Sequence, residues 1–334
     1  MGDMNDKKVA YQVHDKSLLL PLYKKLIVTP VTPWLPAKLH PNAITLAGFV
    51  LNAAALAIML LVRPDRGPLL ALAALLVNLY NACDNLDGAH ARRTGQSSPF
   101  GEFLDHGLDL LNATFVGSIT ALVLGASPAW FAAVTVVVPA AAAAIFWEQA
   151  ETSVLHLGMF QQLEAVAALT AICLAAAIFG PGIFDTQIAG ISARWLLLSV
   201  PFIGTLSSIV GAMYRVFRRG GSLLRVTPVL ALGTALTFAL STGAMSYWAV
   251  TLIGVACFVF MGLRSLTRRM HKESPVLCRG VLLVAGVVAA VTVAHHLGMS
   301  QSLRIDAALV LGCVGIFGVR CLRAVTRTYA YLSR

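Results

Sequence analysis

Charge is what this sequence has least of. Asp, Glu, Lys and Arg together make up 12% of its 334 residues, where soluble domains carry about 25%. Hydrophobic residues make up 58%, and mean hydropathy is +0.78. That deficit excludes a soluble globular chain and a disordered one, and leaves a polytopic membrane protein. Long polar stretches are lacking as well, so a soluble domain has no room. The six cysteines lie in or beside apolar runs without CxxC spacing. A disulfide framework and a cysteine metal site are thereby excluded, and the thiols read as packing residues. No cleavable secretory leader is expected, because the first 42 residues are polar or broken by proline.

What is present is a series of apolar runs. A membrane-crossing helix needs about 20 apolar residues, which gives ten candidate spans at roughly 43–62, 68–92, 102–125, 129–147, 160–180, 195–214, 226–243, 245–263, 277–294 and 303–320, with nine or eight as alternatives because the last four are joined by short links. The expected fold is therefore all-α and polytopic. Ten spans put both termini on one side. Of the 25 Lys and Arg, that side collects 21, and Arg63, Arg66, Arg194 and Arg304 make up the other 4. Such a bias assigns both termini to the cytoplasm. It also accounts for the net charge of +10 without a nucleic-acid partner. Residues 17–35 mix leucines, Lys24, Lys25, Tyr23 and Trp34 between prolines, a composition suited to an amphipathic segment lying on the leaflet. The chain divides into an arm (1–42), a catalytic helix bundle (43–214) and C-terminal helices (215–334) that complete the bundle and offer dimer or lipid contacts.

Carboxylates are expensive in a span, about 2.5–3.5 kcal/mol each on insertion scales. Asp84, Asp87, Glu102, Asp105 and Asp109 nevertheless fall within 26 residues, with only Arg92 and Arg93 among them. At about 100° per residue, Asp87, Gly88, Ala91 and Asn81 all lie within about 60° of Asp84 on one helix. On the next helix Asp105, His106, Asp109 and Asn112 lie within about 80° of Glu102. Each helix thus carries one polar stripe, and two facing stripes bring four aspartates around one point. Oxygen ligands without Cys or a His pair suit Mg²⁺ or Mn²⁺. Two such ions bridged by carboxylates would clamp a pyrophosphate for in-line displacement. A polar lock between helices and an ion pathway are the competing readings of the same stripes.

The residues Asp84-x2-Asp87-Gly88-x2-Ala91-Arg92-x8-Gly101-x3-Asp105-x3-Asp109 resemble the signature of the CDP-alcohol phosphotransferases at every fixed position. Pro41-Asn42-x-Ile44-Thr45-x2-Gly48 is similar to that family's entry to its first span. Within the superfamily the run from Ala91 to Glu102, Asp105-His106-Gly107-x-Asp109-x2-Asn112, and Trp147-Glu148-x3-Thr152-x2-Leu155-x-Leu157 most resemble choline/ethanolamine phosphotransferases. The likeness is strong over residues 40–165. Two departures stand out. Ala150, Glu151 and Ser153 replace the usual Tyr-His before Thr152 and the Gly after it. Gln161-Gln162-Leu163-Glu164-Ala165 replaces an Asn-Gly-Pro-Thr-Glu-Gly segment.

The resemblance implies transfer of a phospho-alcohol from CDP-choline or CDP-ethanolamine to a lipid hydroxyl such as that of diacylglycerol, with release of CMP. A CDP-diacylglycerol donor with a soluble polyol acceptor is the alternative, and a transporter is the alternative of another class. By resemblance, Asp84, Asp87, Asp105 and Asp109 hold two Mg²⁺ or Mn²⁺ ions. Asn42, Asn81, Gly88, Ala91, Arg92 and Gly101 shape the CDP pocket. His106 and Glu102 are a candidate acid–base pair, since a carboxylate at i−4 orients an imidazole, with Asp109 as the competing base. Trp147, Glu148 and Glu164 are candidates to meet the head group or acceptor, Trp147 by a cation–π face. A homodimer is expected by family analogy. The Ala/Val/Arg-rich composition and short length point to a bacterial inner membrane rather than endoplasmic reticulum or Golgi, with the site facing the cytoplasm.

Overall fold

The computed structural model describes residues 12–14, 16–61, 67–158, 161–299 and 303–332. Lys7, Lys8, Arg63, Arg66 and Arg334, which entered the charge bias, lie outside the described residues. Ten long helices follow one another: α1 (Pro41–Leu61), α2 (Gly67–Thr94), α3 (Pro99–Val123), α4 (Pro128–Thr152), α5 (Gln162–Phe179), α6 (Ala193–Arg218), α7 (Thr227–Ser241), α8 (Tyr247–Met270), α9 (Arg279–His296) and α10 (Leu303–Leu332). Among the described residues, nine helices are long and apolar enough to cross a membrane. The tenth, α3, falls short because Glu102, Asp105, His106, Asp109 and Asn112 interrupt its apolar run. The protein is a polytopic all-α membrane protein.

Local chemistry sets the helix ends. Ser98 Oγ accepts from Gly101 N–H at 3.0 Å, and Pro99 and Pro128 open α3 and α4. Proline suits a first turn, where its missing N–H has no intrahelical partner. Gly95 ends α2 at φ +69°. That left-handed conformation, cheap for glycine, lets Gln96 N–H reach back to the Ala91 carbonyl at 2.9 Å.

The described residues form two compact units. The first holds residues 13–126 and 156–204, and in it α1 packs on α2 and α3, and α5 on α2 and α3. Gly48 permits the close approach of α1 to α2, since a Cβ there would lie 2.9 Å from Cys83 Cβ. Asn52 of α1 donates to Asn112 Oδ1 of α3 at 3.2 Å. A two-residue hairpin pairs Gln187 with Ser192 and Ile188 with Ile191. Its turn residues Ala189 and Gly190 both have positive φ, as a primed hairpin turn demands.

The same unit contains the segment expected to lie on the leaflet. Residues 20–34 form a helical run with one wide turn at Lys24–Val28. Leu18, Leu22, Leu26 and Trp34 are exposed, whereas Val28 and Thr32 are buried. The run is tied to the spans at both ends. Glu164 of α5 accepts from Ser17 Oγ at 2.6 Å and from Leu18 and Leu19 N–H at 2.9 and 3.0 Å. At the far end Arg93 Nη2 donates to the Leu35 carbonyl, Gln96 Nε2 to the Ala37 carbonyl, and His90 Nε2 to the Leu39 carbonyl. Arg93 also donates to His90 Nδ1, which fixes the imidazole proton on Nε2.

The second unit holds residue 12, residues 127–155 and the described residues of 205–332. Here α4 packs along α8, α8 along α10, and α9 along α7. Small residues again set the spacing, because a Cβ on Gly254 would meet Val136 Cγ2 at 2.7 Å. Ala140, Ala141, Ala143 and Ala144 of α4 belong to the buried core of this unit.

Candidate active site

α2 and α3 are joined by a short turn, so their polar stripes are held close by covalent connection. Asp84, Asp105 and Asp109 each offer a carboxylate oxygen within 4.8 Å of the other two. Oδ1 of Asp105 and Oδ1 of Asp109 are buried and make no hydrogen bond among the described residues. Like charges at ~4 Å repel by about 4 kcal/mol at an effective dielectric of 20. Three carboxylates so arranged call for a cation. The all-oxygen donor set and its unsatisfied buried atoms fit a divalent ion such as Mg²⁺ or Mn²⁺.

Asp87 stands apart from that trio. Its Oδ2 accepts from Thr45 Oγ1 at 2.6 Å and its Oδ1 from Gly88 N–H at 2.5 Å. The Thr45 contact locks α1 to α2 at the site.

The glycines of the motif have a visible purpose. A Cβ on Gly88 would sit 3.2 Å from Nη1 of Arg92, so the guanidinium lies over the bare glycine backbone. A Cβ on Gly101 would lie 3.1 Å from Asn42 Oδ1 and 3.2 Å from Ser98 Oγ. Asn42 is thereby placed at the start of α3 although it belongs to α1. Asn81 and Ala91 are buried on α2, one turn below Asp84 and one turn above Asp87. Glu102 and His106 occupy the first two turns of α3, both half-buried.

The three head-group candidates already have partners. Glu164 holds residues 17–19 and also accepts from Gln161 N–H at 3.0 Å, so one carboxylate caps two helix starts. Glu148, fully buried, forms a two-pronged pair with Arg215 at 2.6 and 2.8 Å. Trp147 Nε1 donates to Glu151 at 3.1 Å, and Glu151 pairs with Arg225 at 2.7 Å. Both pairs lie in the second unit. Glu148→Ala is expected to destabilise the protein by about 3 kcal/mol, because Arg215 loses its counter-ion. The value is at the low end because Arg215 keeps 34% of its side-chain surface exposed. Thermal unfolding in detergent measures it.

Two residues at the site were missed from sequence. Thr45 sits in the Pro41–Gly48 run, but its spacing there does not show that it meets Asp87 on the next helix. Gln162 Nε2 donates to Asp84 Oδ2 at 2.8 Å, and nothing local in the sequence signals it.

The protein is thus an all-α membrane protein in which two adjoining helices carry a carboxylate cluster able to hold a divalent metal, with glycines clearing room beside it and Arg92 over Gly88. Residues 38–204 match the CDP-alcohol phosphatidyltransferase family, and the chain belongs to that family. Among curated relatives, it is 31% identical to cholinephosphotransferase 1 of Gallus gallus over 218 residues, covering 62% of this chain and 63% of that protein. It is 28% identical to cholinephosphotransferase 1 of Homo sapiens over 252 residues, 71% of this chain and 61% of that protein. A Dictyostelium discoideum protein described as an uncharacterized CDP-alcohol phosphatidyltransferase class-I family protein 3 is 30% identical over 184 residues, 53% of this chain and 46% of its own length. The chain thus spans about three fifths of the length of the two cholinephosphotransferases.

Proposed function

We propose that this protein transfers the phospho-alcohol of CDP-choline or CDP-ethanolamine to the hydroxyl of diacylglycerol or a similar lipid, releasing CMP. The observation that carries the reading is the trio Asp84, Asp105 and Asp109, with its buried unsatisfied oxygens inside the matched family region. The likeness to cholinephosphotransferases supports the amino-alcohol donor and the lipid acceptor.

In this reading the acceptor oxygen attacks the phosphorus bearing the alcohol. The bond from that phosphorus to the CMP oxygen breaks, and the acceptor's proton passes to a base on the protein. Asp84, Asp87, Asp105 and Asp109 would hold two ions, Mg²⁺ or Mn²⁺, which when bound would neutralise the pyrophosphate and the charge growing on CMP. Arg92 offers planar N–H donors to a phosphate oxygen from its place above Gly88. Gly88, Ala91 and Gly101 keep the backbone open to the nucleotide, and Asn42 and Asn81 line it. His106 takes the acceptor proton with Glu102 orienting its ring, and Asp109 is the other group placed to do so. The site faces the cytoplasm of a bacterial inner membrane, and the protein acts as a homodimer.

The test is a screen of purified protein with CDP-alcohols against lipid acceptors, scored by CMP release. Labelled head group from CDP-ethanolamine or CDP-choline is expected to enter the organic phase when diacylglycerol and metal are both present. Consumption of CDP-diacylglycerol with a water-soluble alcohol, and of neither amino-alcohol donor, would reverse the assignment of the lipid to the acceptor.

A further inference from the structure

Gln162 lies in the stretch where the chain departs from its family's pattern, and it is the first residue of α5. Its Nε2 reaches across to α2 and donates to Asp84 Oδ2 at 2.8 Å. Asp84 is one of the three clustered carboxylates. An N–H donor on one oxygen fixes the plane of a carboxylate and so aims the remaining lone pairs. Partners of this kind behind a metal ligand typically change metal affinity 10–100-fold when removed.

The donor is itself held firmly. Glu164, two residues on, bonds Gln161 N–H and also Ser17 Oγ, Leu18 N–H and Leu19 N–H. The first turn of α5 is therefore tied to the interfacial segment. Two turns further along, Thr170 Oγ1 accepts from Asn78 Nδ2 of α2 at 2.7 Å. The pairs 84–162 and 78–170 run in opposite senses, so α2 and α5 are antiparallel and pinned at two heights.

We infer that Gln162 is a positioning residue for Asp84, setting the metal affinity of the aspartate cluster. This rests on the metal-binding reading of that cluster given under the proposed function.

The experiment uses the full chain in detergent or nanodiscs with Mn²⁺ alone, no substrate, and follows free Mn²⁺ by electron paramagnetic resonance. Gln162→Met keeps the side chain's length and removes the donor. It is expected to weaken Mn²⁺ binding 10–100-fold, while KM for the CDP-alcohol at saturating metal stays within about twofold. Thr170→Val opens the other pin without touching Asp84, and is expected to leave Mn²⁺ affinity within about twofold. A structural role in holding α2 to α5 would move both variants alike, and that result overturns the inference. Wild-type affinity in Gln162→Met also overturns it. In either of those cases, Mn²⁺ binding that is present in the wild type and lost in Asp84→Asn leaves the metal site standing, and only the role of Gln162 falls. If the wild type binds no Mn²⁺, the metal site and the role of Gln162 fall together.

Discussion

Asp105→Asn is expected to bring CMP release down to background while leaving the protein folded. The two halves of that expectation have one cause. Asp105 Oδ1 is buried and makes no hydrogen bond among the described residues, so the carboxylate does little for the fold. Its charge adds to the repulsion from Asp84 and Asp109. An amide of the same shape removes a buried charge, and the unfolding temperature of metal-free protein should hold or rise. Activity depends on that same charge, because an amide oxygen is a weaker ligand for a hard divalent ion. Asp84→Asn and Asp87→Asn are expected to behave similarly in turnover. Asp87→Asn should also lower stability somewhat, because its carboxylate accepts from Thr45 and Gly88. A chelator should stop the wild type, and Mg²⁺ or Mn²⁺ should restart it. A fully active Asp105→Asn protein would sink the two-metal reading.

His106→Ala carries the second large effect. Loss of a general base lowers kcat by 10²–10⁴-fold in typical cases, and that is the expected range here. Glu102→Gln should cost less and move the limb of the pH–rate profile, since it alters the ring's orientation and basicity without removing the ring. Steady-state kinetics against pH, with metal and donor saturating, separate the two. If His106→Ala keeps a near-normal kcat and pH profile, the proton goes to Asp109.

The helices were legible because hydropathy is additive along the chain. Ten apolar runs gave ten helices, including the closely spaced α7 to α10, where Gly243 and the polar stretch before α9 break the run. The carboxylate cluster was legible because i+3 and i+4 spacing is a local property of a helix, and Asp105 with Asp109 needed nothing else to share a face. Contacts between distant segments were not. Gln162 meets Asp84 across 78 residues, and Arg215 meets Glu148 across 67. No periodicity encodes such a meeting. The family resemblance made Glu148 and Glu164 look available for a cationic head group. Their partners, Arg215 on α6 and the Ser17–Leu19 stretch before the interfacial helical run, lie far from them in sequence. Asp87 shows the intermediate case. Its angle on α2 was read correctly, but the hydroxyl that engages it stands on α1.

The carboxylate of Glu164 joins groups made at very different moments. Ser17 and Glu164 are separated by 147 residues of chain. A ribosome adding about 5–20 residues per second needs roughly 7–30 s to cover that distance. For that interval Ser17, Leu18 and Leu19 have emerged without their acceptor, while α1 to α4 enter the bilayer one after another. The two aspartate helices are thus complete before Gln162 and Glu164 of α5 exist. Closure of these contacts marks the arrival of α5, and a stall in synthesis before residue 164 would leave a chain whose leaflet-lying segment is held at its far end alone, by His90, Arg93 and Gln96.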